Sequence, residues 1–131
     1  MKKIGILNKD ISEVIAGMGH TDMLVVADAG LPIPAGVRRI DLAVRPGLPG
    51  FLETVEAISG ELQVERIVVA EETGQVSPQI HAGLTRTFGG AQVEAVSHER
   101  FKELTRGAVA VVRTGECTPY ANVILVSGVI F

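Results

Sequence analysis

The stretch Gly19-His20-Thr21-Asp22-Met23-Leu24-Val25-Val26-Ala27-Asp28-Ala29-Gly30 carries the first decisive signal in this chain. Its apolar centre, Met23–Ala27, predicts a strand with a histidine a few residues before it and an aspartate at its exit. The chain then turns through Leu31-Pro32-Ile33-Pro34. In α/β proteins ligands bind at the carboxyl ends of strands, which puts Asp28 where chemistry is expected. His20 is a candidate acid or base, because an imidazole titrates near neutrality.

Outward from this stretch, strands and helices alternate. Ile11, Val14, Ile15 and Met18 recur at helical spacing, with stop signals at Gly17 and Gly19. They predict a helix over residues 10–18, with His20 just beyond its end. Downstream, a short strand is expected over residues 40–44. The rigid loop Arg45-Pro46-Gly47-Leu48-Pro49-Gly50 then leads to a helix marked by Phe51, Leu52, Val55 and Ile58. Residues 66–70 form an apolar run of the kind a strand buried on both faces shows. Pro78 opens a helix reaching about residue 88. A strand over 92–96 precedes a helix capped by Ser97 and holding Phe101 and Leu104, and strands over 108–112 and 123–126 close the chain. The alternation predicts an α/β fold: a single three-layer domain over residues 1–131 with a central, mostly parallel (mixed) sheet and helices on both faces.

Composition narrows the function classes. The 131 residues are 47% hydrophobic but only 4% aromatic, without tryptophan, so the core is expected to be aliphatic. The apolar end Val123-Ile124-Leu125-Val126-Ser127-Gly128-Val129-Ile130-Phe131 must be buried in its own core or against another subunit, which points to a homo-oligomer. A net charge of −3 with scattered basic residues gives no nucleic-acid stripe and no basic membrane face. No segment is long enough to span a bilayer, and the apolar run at the start is too short for a signal-peptide core, so a cytoplasmic location is expected. The one cysteine, Cys117, precludes an internal disulfide and leaves no zinc spacing. Glu71-Glu72 alone makes a poor metal site, and no glycine-rich phosphate cradle is present. No metal and no cofactor are expected.

Two histidines stand at opposite kinds of helix end. His20 follows a helix carboxyl end, where the dipole favours imidazolium; His98 lies in a first turn, where it favours neutral imidazole. Lys102 lies at i+4 from His98 on the same helical face. Groups with opposed environments are the usual makings of an acid and a base. The loop Thr114-Gly115-Glu116-Cys117-Thr118-Pro119-Tyr120-Ala121-Asn122 gathers hydroxyl, carboxylate and amide groups suited to a polyhydroxylated ligand.

Taken together, Gly5-Ile6-Leu7-Asn8, Gly19-His20-Thr21-Asp22, Ala27-Asp28-Ala29-Gly30-Leu31-Pro32 and Arg45-Pro46-Gly47-Leu48-Pro49 resemble the D-ribose pyranase / L-fucose mutarotase family, its ribose branch most. The later segments Ser97-His98-Glu99-Arg100-Phe101-Lys102 and Arg113 to Asn122 extend the resemblance over nearly the whole chain. Residues 71–94 carry no signature of it. The resemblance implies an isomerase that exchanges the β-pyranose and β-furanose forms of free D-ribose without a cofactor. It implies His20 as the acid and Asp28, His98 and the Tyr120-Ala121-Asn122 segment as sugar contacts; Lys102, on the His98 face of its helix, is expected to assist. It further implies rings of five subunits, two rings face to face, with sites between neighbours. The alternatives are an L-fucose mutarotase and a non-catalytic sugar-binding ring that accompanies a transporter.

Overall fold

The computed structural model describes residues 1–131. Helix α1 (Lys9–Gly17) starts one residue earlier than the apolar spacing predicts, because the Asn8 side chain caps it, accepting from the Ile11 N–H at 2.9 Å. There follow β1 (Met23–Ala27), β2 (Arg38–Asp41), α2 (Phe51–Ser59), β3 (Val64–Ala70), α3 (Glu71–Val76) and α4 (Pro78–Thr87). The chain ends with β4 (Gln92–Val96), α5 (His98–Leu104), a 3-10 turn at Thr105–Gly107, β5 (Ala110–Arg113) and β6 (Val123–Ser127). Two strands are displaced from expectation: β2 begins and ends earlier than residues 40–44, and β5 begins later than residue 108. Helix α3 is an addition. Six residues with a glycine among them are too short for helical periodicity to be read.

The strands form one sheet in the order β2-β5-β1-β6-β3-β4. β1 and β2 each pair parallel with β5, and β3 pairs parallel with β4. β6 lies antiparallel between β1 and β3. Five strands therefore point one way and β6 alone returns, the mostly parallel mixed sheet that the alternation predicts. This topology sorts the connections. The segments after β1, β2, β3 and β4, and the whole β5–β6 connection, collect at one edge, the carboxyl edge. The residues before β1 and at the start of β3 collect at the opposite, amino edge.

Side chains alternate along each strand and divide the core in two. Leu24, Val26, Ile67, Val69, Val123 and Leu125 face a cluster of twenty buried residues, completed by Ile11 and Val14 of α1, Phe51, Val55 and Ile58 of α2, and Ile80 and Leu84 of α4. Val25, Ala27, Val68, Val111, Ile124 and Val126 face a cluster of eight, in which Phe101 of α5 is the one aromatic ring. Helices thus cover both faces, unequally. The carboxyl-terminal apolar run also divides. β6 is buried in the middle of the sheet, but Val129, Ile130 and Phe131 stay 39%, 88% and 100% exposed, so the chain's own core accounts for the strand only. No helix is long and apolar enough to cross a membrane.

Candidate functional site

Asp28 leaves β1 at the carboxyl edge and is locked there. Its N–H donates to Asn122 Oδ1 at 2.9 Å, and Asn122 Nδ2 returns a bond to Asp28 Oδ2 at 2.9 Å. Asp28 Oδ1 accepts from the Gly30 N–H at 2.9 Å, closing the turn. Asn122 is 1% exposed, and both ends of its amide serve Asp28, so its side chain positions the aspartate. Ala121 is fully buried as well, and its side chain faces the larger core.

His98 reaches the same edge from the first turn of α5. Ser97 caps this helix by accepting from the Arg100 N–H at 3.1 Å, as its sequence predicts. Glu72 accepts from the His98 N–H at 2.8 Å. The imidazole meets the Tyr120 ring edge-on at a centroid distance of 5.0 Å and lies nearly parallel to the Phe101 ring at 6.3 Å. His98 Nδ1 is buried without a hydrogen-bond partner. Nε2 is therefore the ring nitrogen left to meet a ligand, as donor or acceptor according to the tautomer. Tyr120 holds a left-handed backbone, φ 59°, which is uncommon for a residue with a side chain. Two hydroxyls hold this turn: Thr73 Oγ1 donates to the Tyr120 carbonyl at 2.8 Å and Ser77 Oγ to the Pro119 carbonyl at 2.7 Å. Asp28, His98, Pro119 and Tyr120, with Gly30, Leu31 and Pro32, line an open cleft of about 310 Å³.

Glu116 ties the β5–β6 connection to the start of α2. Burial opposes its ionisation more than any other single influence, but N–H donors from Phe51, Thr118 and Cys117 and the Thr118 hydroxyl together outweigh burial and hold the carboxyl below its usual range. Gly115 passes directly under the carbonyls of Arg45 and Leu48, where a Cβ would collide with them. The loop's glycine is therefore a packing requirement.

Two expected partners lie elsewhere. Lys102 is one turn along α5, but its ammonium binds Glu99 at 2.7 Å and lines a neighbouring cleft with Ile33, Glu103 and Arg106. His20 lies on the amino edge. The strand between it and Asp28 spans roughly 13 Å at about 3.3 Å per residue, so His20 and Asp28 do not meet within one chain. Instead His20 Nε2 is 2.9 Å from Glu65 Oε2, in a pair whose side chains are 54% and 43% exposed. The nearby Asp22 is occupied by the Gly19 N–H at 2.8 Å. No three His, Cys, Asp or Glu side chains converge as a metal site would require.

Sequence reasoning missed Glu65, Glu72, Thr73 and Ser77. The last two had one signal: hydroxyl residues four apart lie on one helical face, here spanning the junction of α3 and α4. They occupy the stretch that carried no family signature.

Comparisons with known proteins agree with this architecture. Residues 1–130 match the RbsD / FucU transport protein family. A D-ribose pyranase of Symbiobacterium thermophilum is 63% identical over 131 residues, covering all of both chains. Bacillus subtilis RbsD, solved in complex with D-ribose, superposes with a TM-score of 0.97 at 48% identity, again over the full length of both. The fucose mutarotase of Streptococcus pneumoniae, solved with L-fucose, gives 0.78 at 26% identity over 95% of each chain. The full-length match in sequence and the common fold place this chain in the RbsD / FucU family.

Proposed function

We infer that this chain is a D-ribose pyranase, an isomerase that exchanges the β-pyranose and β-furanose forms of free D-ribose. The observation that carries the reading is the full-length likeness to the ribose-bound RbsD of Bacillus subtilis, at 48% identity. The carboxyl-edge cleft has the chemistry the reaction asks for. Asp28 keeps lone pairs free to accept from sugar hydroxyls, the Tyr120 hydroxyl can donate and accept, and His98 Nε2 can do either according to its tautomer. Asn122 holds the Asp28 carboxylate through its side chain, and the Tyr120-Ala121-Asn122 segment forms the sugar-holding wall in this reading. Lys102 assists from the adjacent cleft once a ligand draws it from Glu99.

Ring opening needs one proton given and one taken. His20 gives its proton to the ring oxygen as the bond from that oxygen to the anomeric carbon breaks. The anomeric hydroxyl loses its proton to a base, and its electron pair forms the aldehyde. Closure through the other hydroxyl runs the exchange backwards, with no net proton change and no cofactor. Positioned acid–base groups of this kind supply ~10²–10⁴-fold in rate.

Since His20 and Asp28 stand on opposite edges, the site is composite: the amino edge of one subunit completes the carboxyl edge of its neighbour. The assembly in this reading is a cytoplasmic homodecamer of two stacked pentamers, each subunit a single domain of residues 1–131. The exposed Val129, Ile130 and Phe131 supply apolar surface for such contacts. Proton NMR saturation transfer between the anomeric signals of D-ribose tests the activity. Pyranose–furanose transfer should rise on adding protein. Binding without faster transfer points to a non-catalytic sugar-binding ring, and anomer exchange of L-fucose alone points to a mutarotase; either result overturns the reading.

A further inference from the structure

We propose that Glu65 is the positioning residue of His20, presented to it by a bulge in β3. The inference rests on the pyranase reading for its role and on geometry for the pair. In the β3–β6 ladder Val64 pairs with Ser127 and Arg66 with Val126, so Glu65 is an extra residue on one strand. A bulge of this kind turns a side chain out of the regular alternation and is common beside active sites. The next residue, Arg66, is committed to Glu94 across the β3–β4 pair, which leaves His20 as the side-chain partner of Glu65.

The histidine side is fixed as firmly. Thr21, directly after His20, has φ 70°, and apart from Tyr120 it is the chain's one residue with a side chain in the left-handed region. Its N–H donates to the Ser127 carbonyl at 2.9 Å, tying the His20 turn to the end of β6. Gly128 follows immediately, and a Cβ there would lie 3.0 Å from Glu65 Cβ. Bulge, left-handed turn and glycine converge on one pair of side chains. Strained backbone of this kind persists where the surrounding structure over-determines it, which is commonest at functional sites. An exposed ion pair adds little to stability, so stability does not explain this convergence.

Orientation does. A carboxylate accepting from Nε2–H sets the imidazole tautomer and leaves Nδ1 as the nitrogen facing the substrate. His20 then delivers the ring-oxygen proton from Nδ1 and recovers a proton at the same atom, while Nε2–H stays on Glu65 throughout. This is the division of labour of a histidine held by a carboxylate in other acid–base sites.

Nitrogen-15 NMR of the histidine rings tests the pair in the wild-type protein: neutral His20 should be the Nε2–H tautomer, and an Nδ1–H tautomer overturns the proposal. Glu65→Gln should lower kcat for pyranose–furanose exchange by about 10-fold or more, leave KM and the melting temperature unchanged, and blur the tautomer preference. Glu65→Asp, which keeps the charge, should recover part of the loss. A folded Glu65→Gln protein with wild-type kcat and an unaltered His20 tautomer overturns the proposal. An Nε2–H signature lost in Glu65→Gln, in a wild-type protein that does not accelerate ribose exchange, upholds the pair and rejects the pyranase reading.

Discussion

At the carboxyl end of β1, Asp28 receives two hydrogen bonds on its carboxylate and sends a third from its N–H, and its partner Asn122 is buried. At the amino end of the same strand, His20 has one side-chain contact, to a carboxylate that is itself exposed. Each end carries one residue in left-handed backbone, Thr21 beside His20 and Tyr120 beside Asp28. Both ends are therefore shaped with care, but only one is enclosed. The difference is what a composite site requires. A recognition pocket must be preorganised before the ligand arrives, whereas the group that completes it across an interface must stay exposed in the free subunit.

The largest effect should come from separating the two ends genetically. His20→Ala and Asp28→Ala proteins should each be nearly inactive in ribose exchange. Unfolded together and reassembled in equal amounts, they should recover about one quarter of wild-type activity, because that fraction of random neighbour contacts pairs an intact amino edge with an intact carboxyl edge. Saturation-transfer rates of the mixture check this. Activity no greater than the sum of the parents would mean that the two ends do not meet between subunits.

A smaller effect sharpens the contrast between the edges. Asn122→Ala strips the Asp28 N–H and carboxylate of their buried partner, at a cost of ~1–3 kcal/mol. The melting temperature should fall by several degrees along with exchange activity, and ribose affinity should weaken. Glu65→Gln at the other edge should lower activity at constant melting temperature. Calorimetry and saturation transfer on the same two proteins check the pairing. Equal thermal losses at both edges would remove the distinction between an enclosed pocket and an exposed donor.

How much of this is legible in sequence depends on the range of each interaction. The strand Met23–Ala27, the placement of Asp28 at its exit and the Ser97 cap rest on neighbours within a few residues, and all occur as expected. The segregation of His20 from Asp28 follows from strand direction, which was readable, but the partner of His20 was not. Glu65 is 45 residues away in sequence, and a bulge leaves no periodic trace. Lys102 shows the converse limit: helical spacing put it on the face of His98, yet Glu99, three residues before it, takes its charge. Thr73 and Ser77 brace Tyr120 and Pro119 across more than forty residues, and a buried hydroxyl reads in sequence like any exposed one.

The smallest predicted effect concerns acid stability at the enclosed edge. The Glu116 carboxyl is held below its ordinary range by the net of opposing influences: burial works against ionisation, and the donors from Phe51, Thr118 and Cys117 overcome it. With the folded pKa below the unfolded one, its stabilising contribution is complete above the unfolded value of about 4.3. It is lost as pH falls through the lower folded value. Glu116→Gln keeps an acceptor for the Phe51 N–H but cannot ionise, so the melting temperature of this variant should depend less steeply on pH between about 5 and 3. The carboxylate joins the start of α2 to the β5–β6 connection through Phe51 and Thr118. Amide signals of those two residues should therefore shift together on acidification in the wild type and stay still in the variant. Unaltered steepness in Glu116→Gln would show that this carboxylate does not tie the recognition loop to the helix, and the enclosure of the carboxyl edge would then rest on Asn122, Thr73 and Ser77.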